Sequence, residues 1–333
     1  MSTTRSGVKN LITDVSGLYV GNAQDEKVLT GVSVISFDER AVCGAAIAGG
    51  GPGTRETDAL DADKLVDAVD AVVLSGGSVY GLAAADAVTA AMGTEGQGFT
   101  LMDRPGVPNS PVIPSAILYD LANGGDKAWG EVPPYHALGR RAYANACAKE
   151  VEFKLGASGA GMGARAGAER GGLGSASVMT PDGFTVGALV AVNCFGATRM
   201  PGTDAFWAWP YELENEFGGV RPPQDFQLDP SDWGAAKVNP ATTERQNTTI
   251  ACVATDVALT PGQAKRVAQM ALSGLSRAIR PVFAPFDGDV VFAVSTAKKP
   301  LPEPTPLNLA HIGELAANCL ARAVARGVDA AAK

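Results

Sequence analysis

Asn247-Thr248 is the junction with the most chemistry in the sequence. A polar, proline-bearing stretch, Gly218 to Gln246, runs into Thr248 to Thr255 (TTIACVAT), a β-branched segment of buried character that opens on a hydroxyl residue. Scission of the bond ahead of Thr248 would leave one residue carrying both a nucleophile and a base. A free α-amino group has a reference pKa of about 7.7–8.0, so a sizeable share of it is neutral near physiological pH. Such an amine takes the proton of a neighbouring hydroxyl that is too weak to attack an amide alone. The scission could be self-inflicted: the Thr248 oxygen attacks the Asn247 carbonyl, the acyl group moves from nitrogen to oxygen, and water hydrolyses the ester. The same residues also read as an ordinary loop-to-strand join.

Other polar residues stand where chemistry is conceivable. Asn193 interrupts the apolar run Thr185 to Phe195 and needs hydrogen-bond partners there; alone it reads as a satisfied core amide. Asp287-Gly288-Asp289 reads as a turn into the strand Val290 to Ser295. Gly156 to Gly174 is dense in glycine, either a tightly turning loop or backbone that approaches a substrate. It lacks the Gly-Lys-Ser/Thr ending and the strand-GxGxxG-helix frame of a nucleotide site. His136 and His311 lie far apart, which leaves little room for a histidine metal cluster or a Ser-His-Asp triad. Cys43, Cys147, Cys194, Cys252 and Cys319 form no CxxC pair and read as buried free thiols in a reducing compartment.

The elements that must position these residues alternate between strands and helices. Strands are expected at Val28 to Phe37, Ala41 to Ala48, Ala71 to Leu74, Phe99 to Met102, Thr185 to Phe195, Thr248 to Thr255 and Val290 to Ser295. Helices are expected at Leu60 to Val69, at Val79 to Met92 with Ser78 as its cap, and after Thr260-Pro261, where Val267, Ala271, Leu275 and Ile279 share a face. A last helix spans roughly Leu309 to Ala325 and buries Ile312, Ala316, Cys319 and Leu320. Strands between outer helices suit a single domain, with no linker except the stretch before Thr248.

Composition narrows the class. At 333 residues, 46% hydrophobic and 19% charged, the chain can bury a large core. With 40 glycines it exceeds the usual share of about 7%, and no G-x-y period turns that excess into a fibre. Twenty-seven Lys and Arg against 35 Asp and Glu give a net charge of −8, which disfavours a nucleic-acid partner. No apolar run approaches the length of a membrane span, and the opening MSTTRSGVKNLITDV has no signal-like apolar region, so a cytoplasmic enzyme is expected.

Several segments, in one order along nearly the whole chain, resemble a known family. They are LITDVSGLYVG (Leu11 to Gly21), GGGPGTRETDAL (Gly49 to Leu60), VVLSGGSVYGLAAADAV (Val72 to Val88), SAILYDL (Ser115 to Leu121), GGLGSASV (Gly171 to Val178), NTTIACVATD (Asn247 to Asp256) and RPVFAPFDGDVVFAVST (Arg280 to Thr296). They are similar to the self-processing N-terminal-nucleophile amidohydrolases that include the DmpA-type β-aminopeptidases and the nylon-oligomer hydrolases. The resemblance implies a four-layer αββα sandwich of the α/β class, made as a precursor and cut into residues 1–247 and 248–333. It implies Thr248 as nucleophile and Asn193 as an amide donor to the oxyanion. Tyr119 would line the same site, and Asp287 and Asp289 would lie near the new amine. The family's usual lysine in the Gly-rich loop is absent: Ala168 stands at that position, with Arg170 two residues on as a possible support that could stabilise charge but not give up a proton. The Asn-Thr-Thr-Ile form tilts the expected substrate toward 6-aminohexanoate (nylon) oligomers. The alternatives are an aminopeptidase releasing N-terminal β-amino or D-residues, and an uncut relative without activity. The resemblance implies no cofactor or metal, a small-molecule or short oligoamide substrate, and a homo-oligomer such as a tetramer of cleaved heterodimers.

Overall fold

A computed structural model of the chain describes residues 4–237 and 247–333. In chain order its elements are β1 Arg5–Ser6, β2 Leu18–Asp25, β3 Thr30–Ile47, β4 Thr54–Arg55, β5 Val69–Ser75, α1 Ala83–Thr94, β6 Ser115–Ile117 and α2 Tyr135–Cys147. They continue with β7 Arg165–Ala166, β8 Glu169–Arg170, β9 Gly172–Met179, β10 Thr185–Asn193, β11 Thr248–Val257, α3 Pro261–Ala278, β12 Val290–Lys299 and α4 Thr305–Ala332.

Strand β3 joins two sheets. Its first half pairs with β2 and β5. Its second half, Val42 to Ile47, runs antiparallel to β12. Pairing with β5 shifts register between Ser36 and Ala41, where Asp38 and Glu39 stand exposed. One sheet runs β1-β9-β10-β11-β12 to β3; the other holds β2, β3, β5, β6 and β4. The sheets pack face to face through Leu189, Ile250, Cys252 and Phe292 on one side and Ile35, Val72 and Leu74 on the other. Alternate residues turn outward. Ala251 and Val253 meet α3 and α4. Val32, Val34, Ala71 and Val73 meet α1 and α2. The result is the expected four-layer αββα sandwich. Strands covered on both faces read as continuous apolar runs.

The α3 start is as expected, with the Gln263 N–H donating to Thr260 Oγ1 at 3.3 Å and Pro261 in the first turn. Other expectations are corrected. Val28 to Phe37 and Ala41 to Ala48 fall on the single long β3. Leu60 to Val69 forms no α-helix, only a 3-10 turn at Asp58–Leu60; Asp61, Asp63, Lys64 and Asp67 break up any apolar face, and Leu65 is left exposed. Ser78 does not cap α1: it has φ 52°, and a 3-10 turn, Ser78–Leu82, precedes the helix. Phe99 makes only an isolated bridge to Ser110, and Leu101 and Met102 are exposed. Helix α4 outruns its expected ends in both directions. Helix α2 was not foreseen, although Tyr135, Leu138, Ala142 and Ala146 form its buried face. Cys147 is exposed, unlike the other four cysteines.

Candidate active site at the head of strand β11

The antiparallel register of β10 and β11 ends on the pair Asn193 and Thr248. Cross-strand partners project to the same face with Cβ atoms roughly 4.5–5.5 Å apart. That face is the one on which Leu189, Ala191, Ile250 and Cys252 line the space between the sheets. Thr248 and Asn193 therefore sit where the inter-sheet core ends, Asn193 fully buried and Thr248 nearly so.

The Thr248 hydroxyl lies against the carbonyl oxygen of Asn247 and donates to it. The Gly288 N–H donates to that same oxygen at 3.2 Å. The oxygen that would gather charge during attack by Thr248 thus already faces a backbone donor. Asn247 bridges to Asp287 as a parallel partner. Gly288 must be glycine here: a Cβ would stand 2.8 Å from both Thr248 Oγ1 and the Gly51 carbonyl oxygen. The run Gly49 to Gly51 supplies the opposing wall through its backbone. The Gly51 N–H donates to the Asp287 carbonyl at 2.7 Å, and a Cβ on Gly49 would come within 2.3 Å of that carbonyl oxygen.

Two carboxylates flank the head of β11. Asp289 accepts the Thr249 N–H at 2.6 Å and the Phe283 N–H at 3.2 Å. Asp287 accepts the Ala284 N–H at 3.1 Å and the Phe195 N–H at 3.4 Å. Burial pushes Asp287 up to about 6; burial, with the neighbouring Asp287 charge, pushes Asp289 up to about 7. Their backbone hydrogen bonds act the other way and hold the carboxylates in place.

Asn193 is oriented by three residues. Its Oδ1 accepts the Arg165 N–H at 2.9 Å and the Asn123 amide at 3.1 Å, and its Nδ2 donates to the Tyr119 carbonyl at 2.9 Å. The donors on Oδ1 fix which way the amide points. The Gly-rich loop, through Arg165, thus acts on the site by its backbone. Tyr119 is half-buried beside Asn193. Ala168 and Arg170 are exposed, Arg170 on the short hairpin strand β8. The structure therefore gathers Asn247, Thr248, Asn193, Tyr119, Asp287 and Asp289, and leaves Arg170 at the surface.

Sequence reading missed Lys237. Its Nζ donates to the Asn193 carbonyl at 3.3 Å and its N–H to the Phe195 carbonyl at 2.9 Å. Burial pulls its ammonium down to about 8. The available signal was its place, between Ala236 and Val238 in the loop that leads to Thr248. Asn123 was missed as well, with nothing in its surroundings to mark it. Cys194 is adjacent, but burial pushes its thiol up to about 12, which leaves it inert at neutral pH. His136 and His311 are exposed on α2 and α4. Among the described residues, no group of three or more His, Cys, Asp or Glu is placed to hold a metal ion, and no helix is long and apolar enough to cross a membrane.

Comparison with known proteins gives the geometry a context. The model of peptidase family S58 matches residues 10–333. An uncharacterised aminopeptidase of Mycobacterium tuberculosis is 38% identical over 336 residues, covering 96% of this chain and 93% of that protein. A 6-aminohexanoate-oligomer endohydrolase of Kocuria sp. is 30% identical over 305 residues, 89% of this chain and 78% of that one. Among solved structures, a Burkholderia sp. β-aminopeptidase superposes with a TM-score of 0.70 at 21% identity, over 98% of this chain and 88% of its own. The L-aminopeptidase D-Ala-esterase/amidase of Ochrobactrum anthropi, described as a variant of the Ntn hydrolase fold, gives 0.65 at 22%, over 99% and 89%. At these identities the two superpositions speak to the fold.

Proposed function

The chain belongs to peptidase family S58 and is a hydrolase acting on amide bonds; from that premise we propose that it cuts itself between Asn247 and Thr248 and uses the exposed Thr248 as its nucleophile. The observation that carries the reading is the Thr248 hydroxyl set against the carbonyl of its own predecessor, with a backbone N–H on the same oxygen.

In turnover, Thr248 Oγ attacks the substrate carbonyl while the new α-amine takes the hydroxyl proton. An Asn193 N–H, with Tyr119 beside it, steadies the oxyanion; loss of one such donor typically costs about 10²–10³ in rate. Asp287 and Asp289 hold and orient the ammonium that forms. That proton passes to the leaving amine as the amide C–N bond breaks. Water then hydrolyses the ester, releasing the acid and restoring the Thr248 hydroxyl.

The first substrate class is short linear oligoamides of the 6-aminohexanoate type, as the name of the Kocuria relative suggests. A second reading, release of an N-terminal residue from short peptides, is favoured by the name of the 38% identical mycobacterial relative. An oligomer with an acetylated amine end separates them: continued hydrolysis supports internal cleavage, and loss of it supports the aminopeptidase. The nucleophile is tested by quenching the enzyme in acid during turnover and mapping the acylated peptide. The acyl group is expected on the peptide that begins at Thr248; an acyl group on any other residue sinks the proposal.

A further inference from the structure

Before the cut, the Thr248 nitrogen is an amide and accepts no proton. Self-cleavage therefore needs a base that the finished enzyme, with its free amine, does not. Asp287 and Asp289 each place both oxygens on backbone N–H groups, but burial outweighs those contacts and raises the two carboxylates to about 6 and about 7, so both can accept a proton, though less strongly than an amine at about 8. Both histidines are exposed on the outer helices α2 and α4. Lys237 is the stronger base beside them, its Nζ 3.3 Å from the carbonyl of Asn193, the residue paired with Thr248.

We propose that Lys237 is the base of the self-cleavage step, taking the Thr248 hydroxyl proton directly or through one water while Thr248 is still in peptide linkage. The inference rests on the reading of Thr248 as nucleophile. The segment is pinned on the larger piece: the Ala168 N–H donates to the Ala235 carbonyl at 2.7 Å and the Lys237 N–H to Phe195. The charged and titratable groups facing Lys237 are Asp287 ahead of β12, Cys194 just after β10 and Arg165 on β7. Asp287 favours the ammonium and Arg165 opposes it, while burial lowers it most, to about 8. About one molecule in ten then carries the neutral amine at pH 7.

The step balances. Oγ bonds the Asn247 carbonyl carbon as its proton moves to Lys237 Nζ, and the Gly288 N–H meets the oxygen that gains charge. The C–N bond breaks, and the Lys237 ammonium returns the proton to the departing Thr248 nitrogen. Water hydrolyses the ester, its hydroxyl going to the Asn247 acyl carbon and its proton to Thr248 Oγ.

The test uses full-length precursor made in a cell-free system under pulse label, then chased at pH 5 to 9 while the smaller piece is counted. The wild-type rate is expected to rise with pH and level off above about 8. Lys237→Met is expected to slow scission by about 10²–10⁴-fold, the usual worth of a general base. Lys237→Arg is expected to be equally slow, because guanidinium keeps the charge but does not give up its proton. A Lys237→Arg rate within threefold of wild type overturns the proposal, and so does a wild-type rate that is flat from pH 6 to 8, a readout that needs no variant to fold. Scission of Thr248→Ala at the same bond brings down the nucleophile itself, whereas loss of the lysine effect alone leaves it standing.

Discussion

Gly288 shows how narrowly the Thr248 hydroxyl is confined. A methyl there would stand 2.8 Å from the Thr248 hydroxyl oxygen, too close unless something shifts, and its other neighbour is the Gly51 backbone, which is fixed by its own hydrogen bond to Asp287. Gly288→Ala is therefore expected to displace Thr248 Oγ from the Asn247 carbonyl. A misplacement near 1 Å costs on the order of 10²-fold in rate. Gel densitometry of the precursor over time checks this; scission at the wild-type rate would mean that Gly288 does not shape the attack. Thr248 and the two aspartates were legible as residue types in suggestive places. Lys237 was not, because a lysine in a polar loop gives no sign that the loop folds back over Asn193.

The turn before β12 gives the fold a pH dependence of its own. Asp287 and Asp289 titrate higher folded, at about 6 and about 7, than the ordinary carboxylate value of 3.8. Groups whose folded value is raised contribute stability that is fully present below the unfolded value and is lost as pH rises through the folded one. The uncut Thr248→Ala chain is therefore expected to melt at a lower temperature at pH 8 than at pH 4 through this pair. Adding Asp287→Asn and Asp289→Asn should flatten that slope, as thermal scans across the pH range would show; an unchanged slope would assign the dependence elsewhere. The sequence marked this turn, but the residues it meets, Gly49 and Gly51 at its backbone and Phe195 and Thr249 at its carboxylates, lie elsewhere in the chain. The element misreadings have the same origin. Ser78 looks like a cap, yet its N–H is taken by the Leu118 carbonyl at 2.9 Å, a long-range contact. Strands β10 and β11 were legible because burial on both faces leaves an unbroken apolar run.

At the scale of the molecule, a cut before Thr248 would leave two interlocked pieces. Strand β11 pairs with β10 of the larger piece, and β12 pairs with β3 of the same piece, so the smaller piece fills the middle of a shared sheet. Arg322 on α4, 1% exposed, is held by Glu216 and by Asn10 at 2.8 Å, both on the larger piece. Removing one partner of a buried ion pair costs about 3–5 kcal/mol. Arg322→Ala is expected to lower urea stability by that order, and the wild-type pieces should co-elute in gel filtration until denatured; pieces that part in native buffer would contradict this architecture. Strands between outer helices were legible from the order of apolar runs and the four layers from the family resemblance, whereas this buried clamp was not, because Glu216 and Arg322 lie far apart in the sequence. The claim beneath all of this is that Thr248 works only as a chain terminus. Intact-mass measurement of a fully active sample tests it most directly: two polypeptides of 247 and 86 residues, the smaller beginning at Thr248, are expected, and a single unbroken chain of 333 residues with full activity would contradict it.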